Sequence, residues 1–294
     1  MRLAHFSDIH VTHFPLSGEF AVKRAAAVVS YSLFGRGRHF EGSDARIAAL
    51  LRDVDGQQVD HALCTGDLTG VSLDAEFDAI VELFGGRLVQ PTRFTCIPGN
   101  HDRYVSRSHR SFEQRFANLC EGGVFPFAKK VEGGVTIVGI DATRPTSVID
   151  SSGLVGPAQR EKLLQILTDP SLKNQCVVLA LHYGLLKSKG QRDKPAHGLR
   201  DDLELMALVD RADVTVDLIL HGHMHTPYAI RTQRRQIINA GSGTDLHMRC
   251  GYNVYSIDTH SFTLKLERRE WNRETLRYEA APDSPLNREY RLRE

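Results

Sequence analysis

The 294-residue sequence predicts an α/β fold, and two observations carry that prediction. Short apolar runs of strand length alternate with segments that have helical periodicity. Each apolar run ends abruptly in a cluster of polar residues, which is typical of strands that are buried on both faces of a sheet. Ligands of α/β sheets bind at the carboxyl ends of the strands. The same pattern therefore predicts where the functional site lies.

Six apolar runs are predicted strands: 3–6, 61–65, 93–97, 135–140, 176–181 and 218–220. Four segments between them have one apolar face and are predicted helices: 44–52, 73–84, 157–168 and 203–211. Four further strands are predicted after residue 226: 229–232, 235–240, 252–258 and 262–269. We expect these last strands to form an antiparallel continuation that closes a second sheet.

Two segments, residues 11–43 and residues 103–130, interrupt this alternation. Residues 11–43 are longer than an ordinary connection between a strand and a helix, and residues 21–34 within them are apolar and compatible with a helix. We expect a helical or loop insert that packs on the core, caps the site or forms a homodimer interface. Residues 21–34 could also contact a membrane surface peripherally. A single domain is expected over residues 1–271, and residues 272–294 are expected to be a polar, solvated extension.

Composition excludes several classes of protein. The chain has 37 Lys and Arg against 36 Asp and Glu, a formal net charge of +1, which argues against a general nucleic-acid binder. No apolar stretch reaches the roughly 20 residues that span a bilayer, and the sequence opens without a secretory leader. We therefore expect a cytoplasmic protein. The five cysteines form no CxxC pair, so we expect no disulfide framework, and Cys64, Cys96 and Cys176 are expected in the core.

Seven residues just after predicted strands have side chains that coordinate metals. They are Asp8, His10, Asp67, Asn100, His182, His223 and His225. Carboxylate, amide and imidazole ligands of this mixture suit Mn, Fe or Zn. Seven ligands are too many for one catalytic metal that keeps an open position, but they suit two metals that share a carboxylate.

The sequence blocks that contain these residues resemble the calcineurin-like metallophosphoesterase family. The blocks are Asp8-Ile9-His10, Gly66-Asp67, Gly99-Asn100-His101-Asp102, His182 and Gly222-His223-Met224-His225. The resemblance implies a four-layer α/β/β/α sandwich with two mixed β-sheets. It also implies two metal sites: Asp8, His10 and His225 hold one metal, Asn100, His182 and His223 hold the other, and Asp67 bridges them. Mn or an Fe/Mn pair is expected, and the ligand set does not separate these from Zn.

Within the family, the blocks look most like the bacterial branch that hydrolyses cyclic nucleotides and other phosphodiesters. The resemblance implies in-line attack on such a small-molecule phosphoester by a hydroxide that bridges the metals. His101 and Asp102 are the implied catalytic residues, with His101 stabilising a phosphoryl oxygen or protonating the leaving group. Many relatives orient this histidine with a carboxylate or amide at the position of Gly70, so its partner here is open between Asp102, Asp74 and a backbone carbonyl.

Two further readings stay open. One is pyrophosphohydrolysis of a lipid-linked nucleotide sugar such as UDP-diacylglucosamine, with residues 11–43 as an acyl-chain cap; His101 argues against it, because that branch usually has Arg there. The other is a non-catalytic metal-binding scaffold. Arg103, which follows the third block, and His197, which lies in the loop after His182, are the candidate substrate-binding residues.

Overall fold

The computed structural model describes residues 1–13, 37–108, 110–147 and 149–293. The strands are β1 Arg2–Phe6, β2 His61–Cys64, β3 Phe94–Cys96, β4 Phe127–Val131, β5 Val135–Gly139, β6 Cys176–Ala180, β7 Leu218–His221, β8 Tyr228–Arg231, β9 Gln236–Asn239, β10 Gly251–Asp258, β11 Thr263–Asn272, β12 Arg277–Ala280 and β13 Glu289–Arg291. The helices are α1 Gly37–Phe40, α2 Ser43–Gly56, α3 Asp74–Phe84, α4 Ser111–Phe116, α5 Pro157–Leu167 and α6 Asp202–Val209.

The first sheet has the strand order β12-β11-β10-β1-β2-β3, and β13 pairs with a second stretch of β11. Strands β1, β2 and β3 are parallel, whereas β10 runs antiparallel to β1. Leu3 in β1 therefore lies opposite His61 on one side and Tyr255 on the other. The parallel strands end at one edge of this sheet, where the first three predicted motif blocks begin.

The second sheet has the order β4-β5-β6-β7-β9-β8. Its four central strands are parallel and its two outer strands, β4 and β8, are antiparallel to their neighbours. Alternate residues of β6 face two different cores, because successive side chains of a strand point to opposite faces. Val178 belongs to the core that contains Leu63 of the first sheet, while Val177 packs with Leu163 of α5 and Leu205 of α6. The prediction of a four-layer sandwich with two mixed sheets is confirmed.

The strands after residue 226 divide between the two sheets, so the prediction that all of them continue the second sheet is wrong. Strand β9 joins the second sheet in parallel with β7, and β8 pairs with β9. Strands β10 and β11 instead join the first sheet. Apolar periodicity predicts that a strand exists but does not specify which of two buried sheets it enters.

Residues 272–293 are not a solvated extension. Strands β12 and β13 pair with opposite ends of β11. Tyr278, Leu286, Tyr290 and Leu292 are buried and belong to the same apolar cluster as Leu3 and Leu63 of the first sheet. These apolar side chains are isolated among Arg and Glu residues, and the polar composition of the segment hides them.

The predicted insert over residues 11–43 falls largely on residues 14–36, which lie outside the described residues. Its described end contains α1, whose Phe40 is buried. All five cysteines are free, and Cys64, Cys96 and Cys176 are buried as expected; Cys120 and Cys250 are buried as well. In the described part of the chain, no helix has the length and apolarity needed to cross a membrane.

Candidate metal centre

The centre lies where loops from the carboxyl ends of both sheets meet. Several hydrogen bonds join these loops. The Asp8 N–H donates to the Gly66 carbonyl (2.9 Å), which fixes the loop after β1 against the loop after β2. The His223 N–H donates to Asp8 Oδ2 (2.9 Å), and the His182 ring is 2.8 Å from the Thr65 carbonyl, so the second sheet is tied to the first. The seven predicted ligands are thereby brought together.

Asp8, His10 and His225, the ligands predicted for the first metal, lie together and are called the first site below. His10 Nε2 and His225 Nε2 are 3.2 Å apart, and His225 Nε2 is 3.4 Å from Asp8 Oδ1. Asp67 Oδ2 lies 3.7 Å from His10 Nε2. Potential ligand atoms of all three first-site residues fall within 4.8 Å of one another.

Asn100, His182 and His223, the ligands predicted for the second metal, also lie together and are called the second site below. His182 Nε2 is 3.1 Å from Asn100 Oδ1 and 3.3 Å from Asp67 Oδ2. Ligand atoms of Asp67, His182 and His223 also fall within 4.8 Å of one another. The same oxygen of Asp67 thus faces histidines of both sites, which is the arrangement that a bridging carboxylate requires.

Each predicted ligand histidine has one ring nitrogen held by an oxygen outside the site. The oxygens are the carbonyls of Thr69 for His10, Thr65 for His182 and His197 for His223, and the carboxylate of Asp245 for His225. A carbonyl or ionised carboxylate only accepts hydrogen bonds, so the ring nitrogen that contacts it carries the proton. The other nitrogen of each ring then presents a lone pair for metal coordination.

The protonated ring nitrogens assigned above indicate whether these residues can bind metal ions. The Nε2 lone pairs of His10 and His225 face each other at 3.2 Å beside the Asp8 carboxylate. Three negative or electron-rich groups at this distance repel one another unless a positive charge lies between them. The site therefore fits a bound cation.

The pKa shifts of the four histidines also indicate that each site favours a positive charge. Burial lowers the pKa of His225, but its hydrogen bonds to Asp245 and Asp8 outweigh burial and raise it to about 10. At the second site, burial lowers the pKa of His182, but the charge of Asp67 outweighs burial and raises this pKa to about 9. Burial lowers the pKa of His10 to about 3 and that of His223 well below its usual value. Each site thus favours one extra positive charge among its histidines.

Five of the predicted ligands adopt the left-handed backbone conformation. Asp8, His10, Asp67, His223 and His225 have φ angles between 40° and 69°. This region costs a non-glycine residue roughly 1–2 kcal/mol. Residues held in such conformations cluster at functional sites, where the surrounding structure fixes them.

Gly99 permits the close approach of two motif blocks. A Cβ atom at Gly99 would lie 2.1 Å from Asp67 Oδ1 and 2.2 Å from the Asp67 backbone nitrogen. Asp67 Oδ1 in turn accepts a hydrogen bond from the His101 N–H at 2.8 Å. Only glycine leaves space for the bridging carboxylate to take this position.

Gly99→Ala is therefore expected to displace Asp67 and to lower metal content from two ions to one or none per chain. The measurement is elemental analysis of the purified variant after dialysis against Mn²⁺. Gly86→Ala is the matched control, because a Cβ atom there meets nothing within 4 Å. Two bound ions in Gly99→Ala would contradict the steric argument.

His101 is oriented by the carbonyl of Gly70, which receives its Nδ1–H. The ring stacks on Tyr104 with centroids 5.2 Å apart and meets the His10 ring edge-on at 4.8 Å. Its Nε2 is therefore left for a group in the centre. Of the three predicted orienting groups, the structure selects the backbone carbonyl, and the residue that supplies it is the glycine that replaces the side chain found in relatives.

Asp102 does not contact His101 through its carboxylate. It is completely buried and accepts hydrogen bonds from the backbone N–H groups of Leu68, Thr69 and Gly99 at 2.8–3.0 Å. Burial, together with the Asp67 charge, raises its pKa to about 7. The predicted catalytic role for Asp102 has no support in this geometry, and its carboxylate instead holds two motif blocks together.

Arg103 is bound by other parts of the protein. Its guanidinium pairs with Glu113 and with Asp141 at 2.7 Å, and its Nε donates to Thr143 Oγ1 at 2.9 Å. The residue is 4% exposed. These contacts oppose the prediction that Arg103 binds substrate, because the side chain is already committed to two carboxylates.

His197 lies beside the second site. Its carbonyl accepts the hydrogen bond from His223, and its ring is 4.2 Å from the His223 ring. Asp193 holds His197 Nδ1 at 2.5 Å, and the His197 side chain is 44% exposed. The predicted contact of His197 with substrate is compatible with this position at the rim.

Sequence reasoning missed Asp245, Tyr104 and Phe40. Asp245 contacts His225, and Phe40 packs against the rings of His10 and His225 at 4.7 and 6.0 Å. Asp245 follows strand β9, so its strand-end position was a usable signal. Phe40 lies in the predicted insert, where the sequence offered no site motif. Tyr104 contacts His101 by ring stacking, and the spacing of residues along the chain does not predict such a contact.

Comparison with solved structures shows that two phosphatases share this fold. A dimetal phosphatase from Danio rerio aligns with a TM-score of 0.64 and 13% identity, over 96% of this chain and 99% of that chain. The purple acid phosphatase PPD1 from yellow lupin seeds aligns with a TM-score of 0.55 and 15% identity, over 92% of this chain and 51% of that chain.

A third structure, GAP50, the anchor in the inner membrane complex of Plasmodium, aligns with a TM-score of 0.54 and 11% identity, over 100% of this chain and 88% of that chain. No curated protein sequence matches the chain. Residues 1–227 match the sequence model of the calcineurin-like phosphoesterases, a span that contains all five motif blocks. The chain therefore belongs to the calcineurin-like phosphoesterase family.

Proposed function

We propose that this protein hydrolyses phosphodiesters with two metal ions, one held at the first site and one at the second. The observation that carries the proposal is the convergence of both sites on Asp67, whose Oδ2 is 3.7 Å from His10 Nε2 and 3.3 Å from His182 Nε2. Two metals that share a carboxylate lie about 3.5–4 Å apart and together bind the attacking and leaving oxygens of a phosphoryl group. We propose Mn or an Fe/Mn pair, on the ligand chemistry.

His101 is the residue that acts on the substrate in this proposal. Its Nδ1–H is held by the Gly70 carbonyl, and its ring is fixed between Tyr104 and His10. A fixed imidazole can place its Nε2 at a phosphoryl oxygen or at the leaving oxygen without further ordering. Burial lowers the pKa of His101, which favours the neutral ring before substrate binds.

The charge of the centre favours a diester over a monoester. The side chains that form both sites are carboxylates, imidazoles and an amide. Arg103, which directly follows the third motif block, is bound to Glu113 and Asp141. A phosphodiester carries one negative charge and a monoester carries about two at neutral pH, so the diester needs fewer cations besides the metals.

A hydrolysis panel with Mn²⁺-loaded protein tests the proposal. It contains bis(p-nitrophenyl) phosphate, p-nitrophenyl phosphate, cyclic AMP and a nucleotide-diphosphate lipid precursor. We expect kcat/KM to be highest for a diester and to fall at least about 100-fold in Asn100→Ala, because the second metal loses a ligand. Asn118→Ala is the matched control, since Asn118 is exposed and bonds only the Leu88 carbonyl.

The other outcomes discriminate among the alternatives. Preference for the monoester would overturn the diester proposal and indicate that the protein is a phosphomonoesterase. Turnover of the lipid precursor alone would favour the pyrophosphohydrolase alternative. Stoichiometric metal without hydrolysis of any substrate would favour the non-catalytic scaffold.

A further inference from the structure

Among the described residues, a side-chain carboxylate hydrogen-bonds a histidine of the first metal site, whereas the histidines of the second site contact backbone carbonyls. Among the histidines of the centre, His10, His182 and His223 are held by backbone carbonyls. His225 alone in this set is held by a side-chain carboxylate, with its Nδ1 3.0 Å from Asp245 Oδ2. The two sites therefore differ in the hydrogen-bond partners of their histidines.

The Asp245 carboxylate is itself fixed. Its Oδ1 accepts the His247 N–H at 2.9 Å, and its own N–H donates to Ser242 Oγ at 3.0 Å. Ser242 Oγ in turn donates to the Asp8 carbonyl at 2.6 Å. Asp245 is 3% exposed. A buried carboxylate anchored in this way cannot turn towards solvent and stays aimed at His225.

The charge of Asp245 affects the metal ligand directly. A carboxylate that accepts the Nδ1–H of an imidazole increases the electron density at Nε2, and removal of such a partner typically costs 10–100-fold in metal affinity. His225 Nε2 is the nitrogen that faces Asp8 Oδ1 and His10 Nε2. Carbonyl partners fix ring orientation in the same way but carry no net charge.

The Asp193 carboxylate beside the second site has a different relation to it. Asp193 bonds the ring of His197, and the contact from His197 to His223 is made by the His197 backbone carbonyl. The Asp193 charge therefore does not reach a ligand nitrogen through a hydrogen bond. This residue offers a matched comparison for Asp245.

We infer that Asp245 is a positioning residue that makes the first site the tighter of the two metal sites. The inference rests on the proposed two-metal centre. The second site then fills at higher metal concentration, so a one-metal form with the ion at Asp8, His10 and His225 precedes the two-metal form.

Titration of metal-free protein with Mn²⁺ alone tests the inference, with free Mn²⁺ read by electron paramagnetic resonance. Wild type should bind two ions with separable dissociation constants. Asn100→Ala, which lacks a second-site ligand, should retain only the tighter one. In that background Asp245→Asn should weaken the remaining site about 10-fold and Asp245→Ala up to about 100-fold. Asp193→Asn in the same background should leave the constant unchanged.

The outcomes separate this inference from the proposed function. Wild type that binds fewer than two ions would overturn the two-metal centre. Two ions with equal constants, or equal effects of Asp245→Asn and Asp193→Asn, would overturn the role of Asp245 and leave the proposed function intact. Thermal unfolding of the metal-free variants shows whether each is folded, and the isosteric asparagine variant decides the question if the alanine variant is not.

Discussion

Asp67→Asn is expected to lower kcat/KM for a phosphodiester at least about 1,000-fold. The substitution removes the negative charge that both sites share, and each 1.4 kcal/mol of lost transition-state stabilisation lowers the rate tenfold. Asp67 Oδ2 faces His10 and His182, so metal content should fall together with activity. Steady-state kinetics and elemental analysis on the same preparation make the measurement.

The control for this variant is Asp213→Asn. Asp213 is exposed and pairs only with the neighbouring Arg211, so activity and metal content should be unchanged. Retention of two metals and more than a tenth of wild-type activity in Asp67→Asn would mean that Asp67 does not bridge the sites. Burial of Asp67 raises its pKa, but the nearby His182 and His101 charges outweigh this and keep it well below the usual value. The wild-type carboxylate therefore stays ionised at every pH at which the enzyme would be assayed.

His101→Ala is expected to lower kcat by about 10²–10⁴-fold, the usual contribution of a positioned acid or base. Metal content should remain at two ions, because His101 is predicted to act on substrate and not to hold a metal. The loss should be larger for a diester with an alkyl leaving group than for one with p-nitrophenolate, which leaves without a proton. Comparison of the two substrates separates protonation of the leaving group from stabilisation of a phosphoryl oxygen.

His260→Ala, at an exposed position remote from the motif blocks, is the matched control and should retain wild-type kcat. Loss of a metal in His101→Ala would assign His101 to the ligand set, since its ring nitrogen lies within 4.8 Å of ligand atoms of His10 and Asp67. Equal losses for both leaving groups would leave His101 as a group that stabilises phosphoryl oxygens.

The positions of the seven predicted ligands followed from the sequence because each stands at the end of an apolar strand. Parallel strands of one sheet end at the same edge, so spacing along the chain translated into proximity in space. The partner of His101 did not follow, because a backbone carbonyl has no residue identity that a sequence could reveal. Arg103 was misjudged for a related reason: its partners Glu113 and Asp141 are brought to it only by the fold.

The sequence also did not predict that the last strands divide between the two sheets. Strands β9 and β10 are separated by one loop yet enter different sheets. That loop contains Ser242 and Asp245, which support Asp8 and His225 by hydrogen bonds. It lies outside the 1–227 span that defines the family, so the family pattern gave no reason to examine it.

The position of β1 between β2 and β10 has a consequence for how the protein is made. The amino group of Met1 donates to the carbonyl of Ile257, a contact between positions 256 residues apart. At about 5–20 residues per second, a ribosome needs roughly 10–50 s to supply the second neighbour of β1 after the first strand has emerged. Until then β1 has an unpaired edge, and the loop that carries Asp8 and His10 lacks its support from Ser242. The loop that carries Asp8 and His10 therefore gains its full support only after residue 242 has been made, and we expect metal capture by the nascent chain to follow that point.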